Sequence, residues 1–174
     1  MIHLIPLDEA TLDSLIRDIA GGLRALVSNG PDVEKFLFPI LAPSRDFQRS
    51  AGSAAPWLGY LAIEPDGARM VGVCAFKGSP DAAGEVEIAY GTVPEFEGLG
   101  YATQMAQSLV AIAFQSTLVR RVTAHTLPES CVSTRVLRNA GLRFAGEKQD
   151  PQNGRVERWE IERPGSRCAA QMRA

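Results

Sequence analysis

A chain of 174 residues with 45% hydrophobic and 22% charged residues can fill one sizeable core, and its length suits a single domain. A formal charge of −2 and a pI near 5.7 give no general attraction to nucleic acid or to an acidic membrane surface. Cys74, Cys131 and Cys168 match neither a disulfide framework nor a paired-cysteine metal motif, and no apolar run approaches the roughly 18 residues of a membrane span, so the expected setting is reducing, soluble and cytoplasmic.

Ile2 to Ile5 is a short apolar run before Pro6, and Leu12, Leu15, Ile16, Ile19, Leu23, Leu26 and Val27 predict a helix after it. From Asn29 to Ala55, Pro31, Pro39 and Pro43 interrupt Phe36, Leu37, Phe38, Ile40 and Leu41, which predicts short helices and turns. Trp57 to Ile63 and Met70 to Phe76 are apolar runs joined by Glu64-Pro65-Asp66-Gly67, a hairpin signal. After a second turn, Gly78 to Gly84, the stretch Glu85 to Val93 alternates, with Val86, Ile88 and Tyr90 opposite Glu85, Glu87 and Ala89. Three adjacent antiparallel strands are therefore expected.

A helix from about Leu99 places Ala102, Met105, Ala106, Leu109, Val110 and Ala113 on one face. Arg121 to His125 reads as a strand, and Ser130 to Ala140 as a helix with Val132, Val136, Leu137 and Ala140 inward and Gly141 just past its end. Leu142 to Glu147 and Val156 to Ile161 close the chain as strands around the turn Asp150 to Gly154. One domain over residues 1–163 is expected, followed by a disordered tail from Pro164. The order β, helices, β, β, β, α, β, α, β, β contains no internal repeat.

Residues 91–103 carry the strongest chemical signal: a strand ends at Pro94 and turns through Gly98 and Gly100 directly into an amphipathic helix. Glycines let the backbone approach a ligand closely, and the first turn of a helix offers unpaired N–H groups and a positive dipole end to a phosphate. No Gly-Lys-Ser/Thr follows, so nothing would hold a γ-phosphate and its Mg²⁺. A dinucleotide fingerprint lacks its third glycine, Thr103 standing there, and the strand Arg121 to His125 ends without a ribose-binding acid. A plain glycine-containing turn with no ligand remains the simplest alternative.

The wider stretch from Gly84 to Ala113, continuing through Phe144, resembles the GNAT superfamily of acetyl-CoA-dependent N-acetyltransferases, in particular its RimJ/RimL-like branch. The family's motif, Arg/Gln-x-x-Gly-x-Gly/Ala, is similar to Glu97-Gly98-Leu99-Gly100-Tyr101-Ala102, and the strand Glu87 to Pro94 precedes it as in that branch. Leu127 to Leu142 is similar to the family's second motif, with Ser130 where Asn is common, Ser133 matching the branch's serine, and Gly141-Leu142 in place of Gly-Phe. The resemblance implies an α/β (α+β) fold with a mixed, mostly antiparallel sheet of about seven strands, splayed at the fourth and flanked by helices. It implies that the amides from Gly98 through Thr103, with Leu99 and Glu97 in the same turn, hold the pyrophosphate of acetyl-CoA, that Thr92 and Val93 bond pantetheine, and that Ser130 lies on the CoA side. Ser130 as an ordinary helix cap is the alternative for that residue. Glu97 departs from the pattern, a carboxylate where the family has Arg or Gln.

Acetyl transfer needs a deprotonated amine, a stabilised oxyanion and a protonated thiolate. The resemblance assigns the base to Glu87, with Glu85 two residues earlier on the same strand face, the alternative for both being a solvent-facing role. The tyrosine acid of the superfamily is absent, since Leu137 stands at that spacing, and Ser133 is the branch's replacement. Tyr90 reads as core, and a backbone N–H near Val93 as the oxyanion donor. His3 and His125 lie far apart with no carboxylate pair nearby in sequence, so no metal site is expected. Trp57, Trp159 and Phe36 read as packing, and the alternation of Arg155, Arg158 and Arg163 with Glu157, Glu160 and Glu162 as a solvated strand face. The implied function is transfer of an acetyl group to a primary amine, on a small molecule or a protein N-terminus, by direct attack in a ternary complex. The implied partners are the amine acceptor and, through the closing strands, a second copy in a homodimer; a catalytically inactive acyl-CoA-binding module and a nucleotide-binding α/β domain are the alternatives.

Overall fold

The computed structural model describes residues 1–27, 31–151 and 153–165, and all but the first two residues of the expected disordered tail lie outside them. The chain runs β1 (His3–Leu7), α1 (Glu9–Arg17), α2 (Ile19–Arg24), α3 (Pro31–Ala51), β2 (Gly59–Ile63), β3 (Met70–Phe76), β4 (Glu85–Thr92), α4 (Tyr101–Gln115), β5 (Arg121–Thr126), α5 (Cys131–Asn139), β6 (Arg143–Asp150) and β7 (Gly154–Glu162). The strands form one seven-stranded sheet in the order β1-β2-β3-β4-β5-β7-β6, as expected of the mixed, mostly antiparallel fold. Each pairing is antiparallel except β4 with β5, which α4 joins by a crossover on one face.

The predicted helix over Leu12 to Val27 is two helices. Asp18 ends α1 and its carboxylate then accepts from the Gly21 N–H at 2.9 Å, capping α2. The predicted short helices and turns of residues 29–55 are replaced by one 21-residue helix, α3, which contains Pro39 and Pro43. These prolines are exposed and four residues apart, so the carbonyls they leave unbonded sit on one water-facing stripe. Val33, Leu37 and Leu41 repeat at the same spacing on the opposite, fully buried side. Burying each stabilises by about 1.5–3 kcal/mol, enough to offset the roughly 3 kcal/mol a proline costs inside a helix.

α4 packs against β3 and β4 and is the helix most tightly enclosed, with Met105, Ala106, Leu109 and Ala113 all fully buried. Its two ends are fixed differently. At the first residue, the Tyr101 hydroxyl donates to the Glu64 carboxylate (2.9 Å), which also takes both arms of Arg69 (2.8 and 2.9 Å) while that guanidinium lies 4.9 Å over Phe96. Past the last residue, Arg163 donates to the carbonyls of Phe114 (2.9 Å), Val119 (2.8 Å) and Ser116, and covers the Phe114 ring at 5.2 Å. A cation there satisfies carbonyls that no helical N–H can reach.

Hydrogen bonds to a charged group contribute about 1.5–3 kcal/mol, so Arg163→Ala is expected to lower the melting temperature by several degrees. Thermal denaturation followed by circular dichroism measures this, and Arg163→Lys, which cannot reach three carbonyls at once, should recover only part of the loss.

Candidate active site

β4 and β5 pair over only three positions, Glu85 with Arg121, Val86 with Val122 and Glu87 with Thr123, although both strands continue further. Beyond Glu87 they diverge, and the main chain of β4 faces an open gap. Lys77 donates to the Glu87 carbonyl (2.8 Å) and the Val93 N–H donates to Val71 (2.9 Å), both toward β3. Peptide groups alternate along a strand, so those of Ile88, Tyr90 and Thr92 point toward the gap. The expectation for Val93 is thereby corrected: its N–H is spent in the sheet, its carbonyl accepts from Phe96 (2.9 Å), and its side chain is wholly buried. Neither an oxyanion nor pantetheine finds a free donor there, and Tyr90 and Thr92 carry the open main-chain groups.

From Thr92 the chain makes one 3₁₀ turn, Pro94–Phe96, and then passes through Gly98 (φ 77°) and Gly100 (φ 84°) into α4. Both glycines hold left-handed backbone that other residues rarely adopt, and a Cβ at either would meet nothing within 4 Å, so the space above them is open. The Gln104 N–H is the first to close onto the helix, at Gly100 O (3.2 Å), which leaves the N–H groups of Tyr101, Ala102 and Thr103 to the cleft.

This cleft, of about 470 Å³, is lined by Tyr90, Gly91, Thr92, Phe96, Glu97, Gly98, Gly100, Tyr101, Ala102 and Thr103 on one side. Val132, Ser133, Arg135, Val136 and Asn139 of α5 line the other. Of the sequence candidates, Thr92, Glu97, Gly98, Gly100, Tyr101, Ala102, Thr103 and Ser133 come together here. Leu99 does not line it and is 62% exposed. Ser130 is not among the lining residues, and although it stands at the N-cap of α5 its hydroxyl makes no cap bond. Val132, expected inward, is 72% exposed at the cleft rim; the buried residue of α5 is Leu137, with Ala140 buried just past its end.

Three polar cleft residues, Tyr90, Arg135 and Asn139, were not among the sequence candidates. Tyr90 lies on the apolar strand face as expected, yet that face is also the cleft wall; its hydroxyl donates to Ser133 O at 3.4 Å, and burial pushes its phenol up. Arg135 brings a positive side chain opposite the negative Glu97. Asn139 accepts from Gln107 at its carbonyl (3.1 Å), tying α5 to α4 across the end of the cleft. The α5 spacing, with Val132, Ser133, Arg135, Val136 and Asn139 along one side, was the signal available for the last two.

Glu87 lies on the opposite sheet face from Tyr90, outside this lining. Its Oε1 receives the Lys77 ammonium at 2.6 Å and the His125 Nδ1 at 3.1 Å. Burial works to raise its carboxyl, but the hydrogen bonds and charges of Lys77 and His125 outweigh it, and the net shift is downward. Glu85 is occupied by Arg158 (2.6 Å) and Arg121 (3.7 Å), a structural pairing rather than a free base. The closing strands, read as a solvated face, carry this lattice half-buried: Glu160 meets Arg121 at 3.4 Å and Arg143 at 3.6 Å. Among the described residues no group of acids, histidines and cysteines could hold a metal, and no helix is long and apolar enough to cross a membrane.

The fold is shared with solved acetyltransferases. Aminoglycoside acetyltransferase AAC(6')-Ib, solved with coenzyme A and kanamycin, superposes with a TM-score of 0.65 at 17% identity, over 94% of this chain and 95% of that one. The ribosomal alpha-N-protein acetyltransferase RimL, solved with coenzyme A, gives 0.64 at 17% identity over 92% and 93%. A spermidine N-acetyltransferase SpeG chimera from Vibrio cholerae and hSSAT gives 0.63 at 12% over 92% and 95%. No curated protein matches by sequence. The family model described as Acetyltransferase (GNAT) domain matches residues 15–143, a span that takes in the cradle, the splayed strands and α5. The chain belongs to the GNAT acetyltransferase family.

Proposed function

We infer that the protein transfers the acetyl group of acetyl-CoA to a primary amine by direct attack in a ternary complex. The observation that carries this is the coincidence of the anion cradle at Gly98–Thr103 with the divergence of β4 from β5, so that one cleft serves a pyrophosphate at its outer end and a thioester at its inner end. The residues fit the group: glycines with open space above them, three N–H groups without helical partners, and Arg135 facing them.

In this reading Gly98, Gly100, Tyr101, Ala102 and Thr103 bind the pyrophosphate through their backbone, and Thr92 offers its main chain to pantetheine. Glu97 is tolerated because amides, not side chains, carry the binding, and Arg135 returns the positive charge the turn lacks. A main-chain N–H of Tyr90 or Thr92 stabilises the oxyanion. Ser133 and Tyr90, whose hydroxyls share the thiol side of the sheet, supply the proton for the leaving sulfur. Glu87, the last paired residue of β4, lies on the opposite face, from which the amine approaches and loses its proton. Cys74 offers no covalent route, since it is buried and its thiol is pushed up to about 12. Free cysteines accord with the reducing cytoplasm we assign to it.

A panel of primary amines and peptide N-termini incubated with acetyl-CoA, read by thiol release and mass spectrometry, tests the activity. Tight CoA binding without release from any acceptor would instead favour an inactive acyl-CoA-binding module. Glu87→Gln is expected to lower kcat about 100-fold while CoA affinity is kept; undiminished turnover across pH would remove Glu87 from the reaction. In calorimetry with CoA, Arg135→Ala should weaken binding and Glu97→Gln tighten it, each by about 2- to 5-fold and less at high salt, as suits exposed charges.

A further inference from the structure

His125 lies two residues beyond Thr123, the last residue of β5 that pairs with β4. Its backbone is already in the diverging stretch, yet its side chain shares the face of Glu87. A carboxylate can only accept, so the 3.1 Å contact between Nδ1 and Glu87 Oε1 places a hydrogen on Nδ1. In the neutral ring Nε2 then carries a bare lone pair. That atom is buried and has no hydrogen-bond partner among the described residues, while the side chain as a whole is only 12% exposed. A buried ring nitrogen left without a partner is an exception that an incoming proton would resolve.

We propose that the neutral His125 imidazole, oriented by Glu87, is the base that takes the proton of the acceptor amine, with Nε2 the accepting atom and Glu87 a positioning residue. The inference rests on the acetyltransferase reading above. Nε2 takes one proton from the ammonium, and the freed electron pair on nitrogen forms the C–N bond at the thioester carbonyl. The C–S bond then breaks, and its electron pair leaves with sulfur. The second proton lost by the nitrogen ends on that sulfur as the CoA thiol, and His125 returns its own to water.

The surrounding charges suit this division of labour. From β4 come Glu87 and Glu85, from the end of β3 Lys77, from β5 Arg121, and from β7 Arg158 and Glu160. Arg158 and Arg121 are taken up by Glu85 and Glu160. Lys77 and the imidazole share one oxygen of Glu87. The ammonium keeps that carboxylate ionised, so the hydrogen on Nδ1 stays on the ring.

The test compares pH profiles of kcat/KM with an amine the wild type accepts. His125→Ala is expected to lose about 100-fold or more in kcat/KM, to lose the acidic limb of the profile, and to recover part of its rate when imidazole is added, with CoA affinity unchanged. Glu87→Gln should keep the limb at a reduced rate. If His125→Ala and the closer His125→Asn both stay within twofold of wild type with its profile, the proposal is overturned. A wild type that acetylates no amine counts against the acetyltransferase reading, and the dyad is then judged by ¹⁵N NMR of a His3→Gln variant, where His125 is the only histidine. Hydrogen on Nδ1 with an Nε2 that titrates supports the proposal; hydrogen on Nε2, or a ring that does not titrate, overturns it.

Discussion

The short parallel contact between β4 and β5 is the constraint on which the rest of the molecule depends. Three residue pairs hold the two halves of the sheet together, and α4 must cross over them for the strands to run parallel at all. Because the pairing stops at Glu87, the peptide groups of Ile88, Tyr90 and Thr92, which face away from β3, have no strand to satisfy them. A sheet normally pairs or covers such an edge, and here it forms the wall of a cleft. Around that stop the fold gathers the glycine turn that follows β4, Ser133 and Arg135 on the far wall of the cleft, and Glu87 with His125 on the opposite face.

The two faces of the sheet at this point are built for different work. On the α4 side the cleft wall mixes apolar residues such as Phe96, Val132 and Val136 with the hydroxyls of Tyr90 and Ser133, the charges of Glu97 and Arg135 and the open amides of the helix start. On the other side Glu85, Glu160, Arg121 and Arg158 interlock in a half-buried lattice. Paired in this way the charges cost less to bury than singly, and they fix the geometry around the one carboxylate, Glu87, that is shared with an imidazole. The pinning of both ends of α4, by Glu64 and Arg69 at the start and by Arg163 past the end, keeps the cradle in place relative to both faces.

The element order and most strand boundaries were legible because strands and α4 are strongly periodic, and burial enforces that period. The errors have local causes. At Asp18 a side chain that caps a new helix splits what periodicity reads as one. In α3 the prolines look like breaks, but Val33, Leu37 and Leu41 recur every fourth residue and their burial outweighs two missing hydrogen bonds on an exposed stripe. Val132 fits an inward helical position by spacing, yet α5 abuts a cleft and not a core at that turn.

What the sequence by itself determined was the cradle. Two glycines between a strand and a helix dictate left-handed backbone and free amides wherever the rest of the chain lies, since these are properties of a dozen contiguous residues. The resemblance also implied that Leu137 stands where much of the superfamily has a tyrosine. Only the tertiary structure decided which main-chain groups remain open, excluding Val93 and exposing Tyr90 and Thr92, because that depends on which neighbour each peptide faces. It alone brought Arg135 to the same cleft as Glu97 and His125 against Glu87. Both pairs come from segments some 40 residues apart in the chain, and the second is fixed by a parallel register that no local pattern encodes.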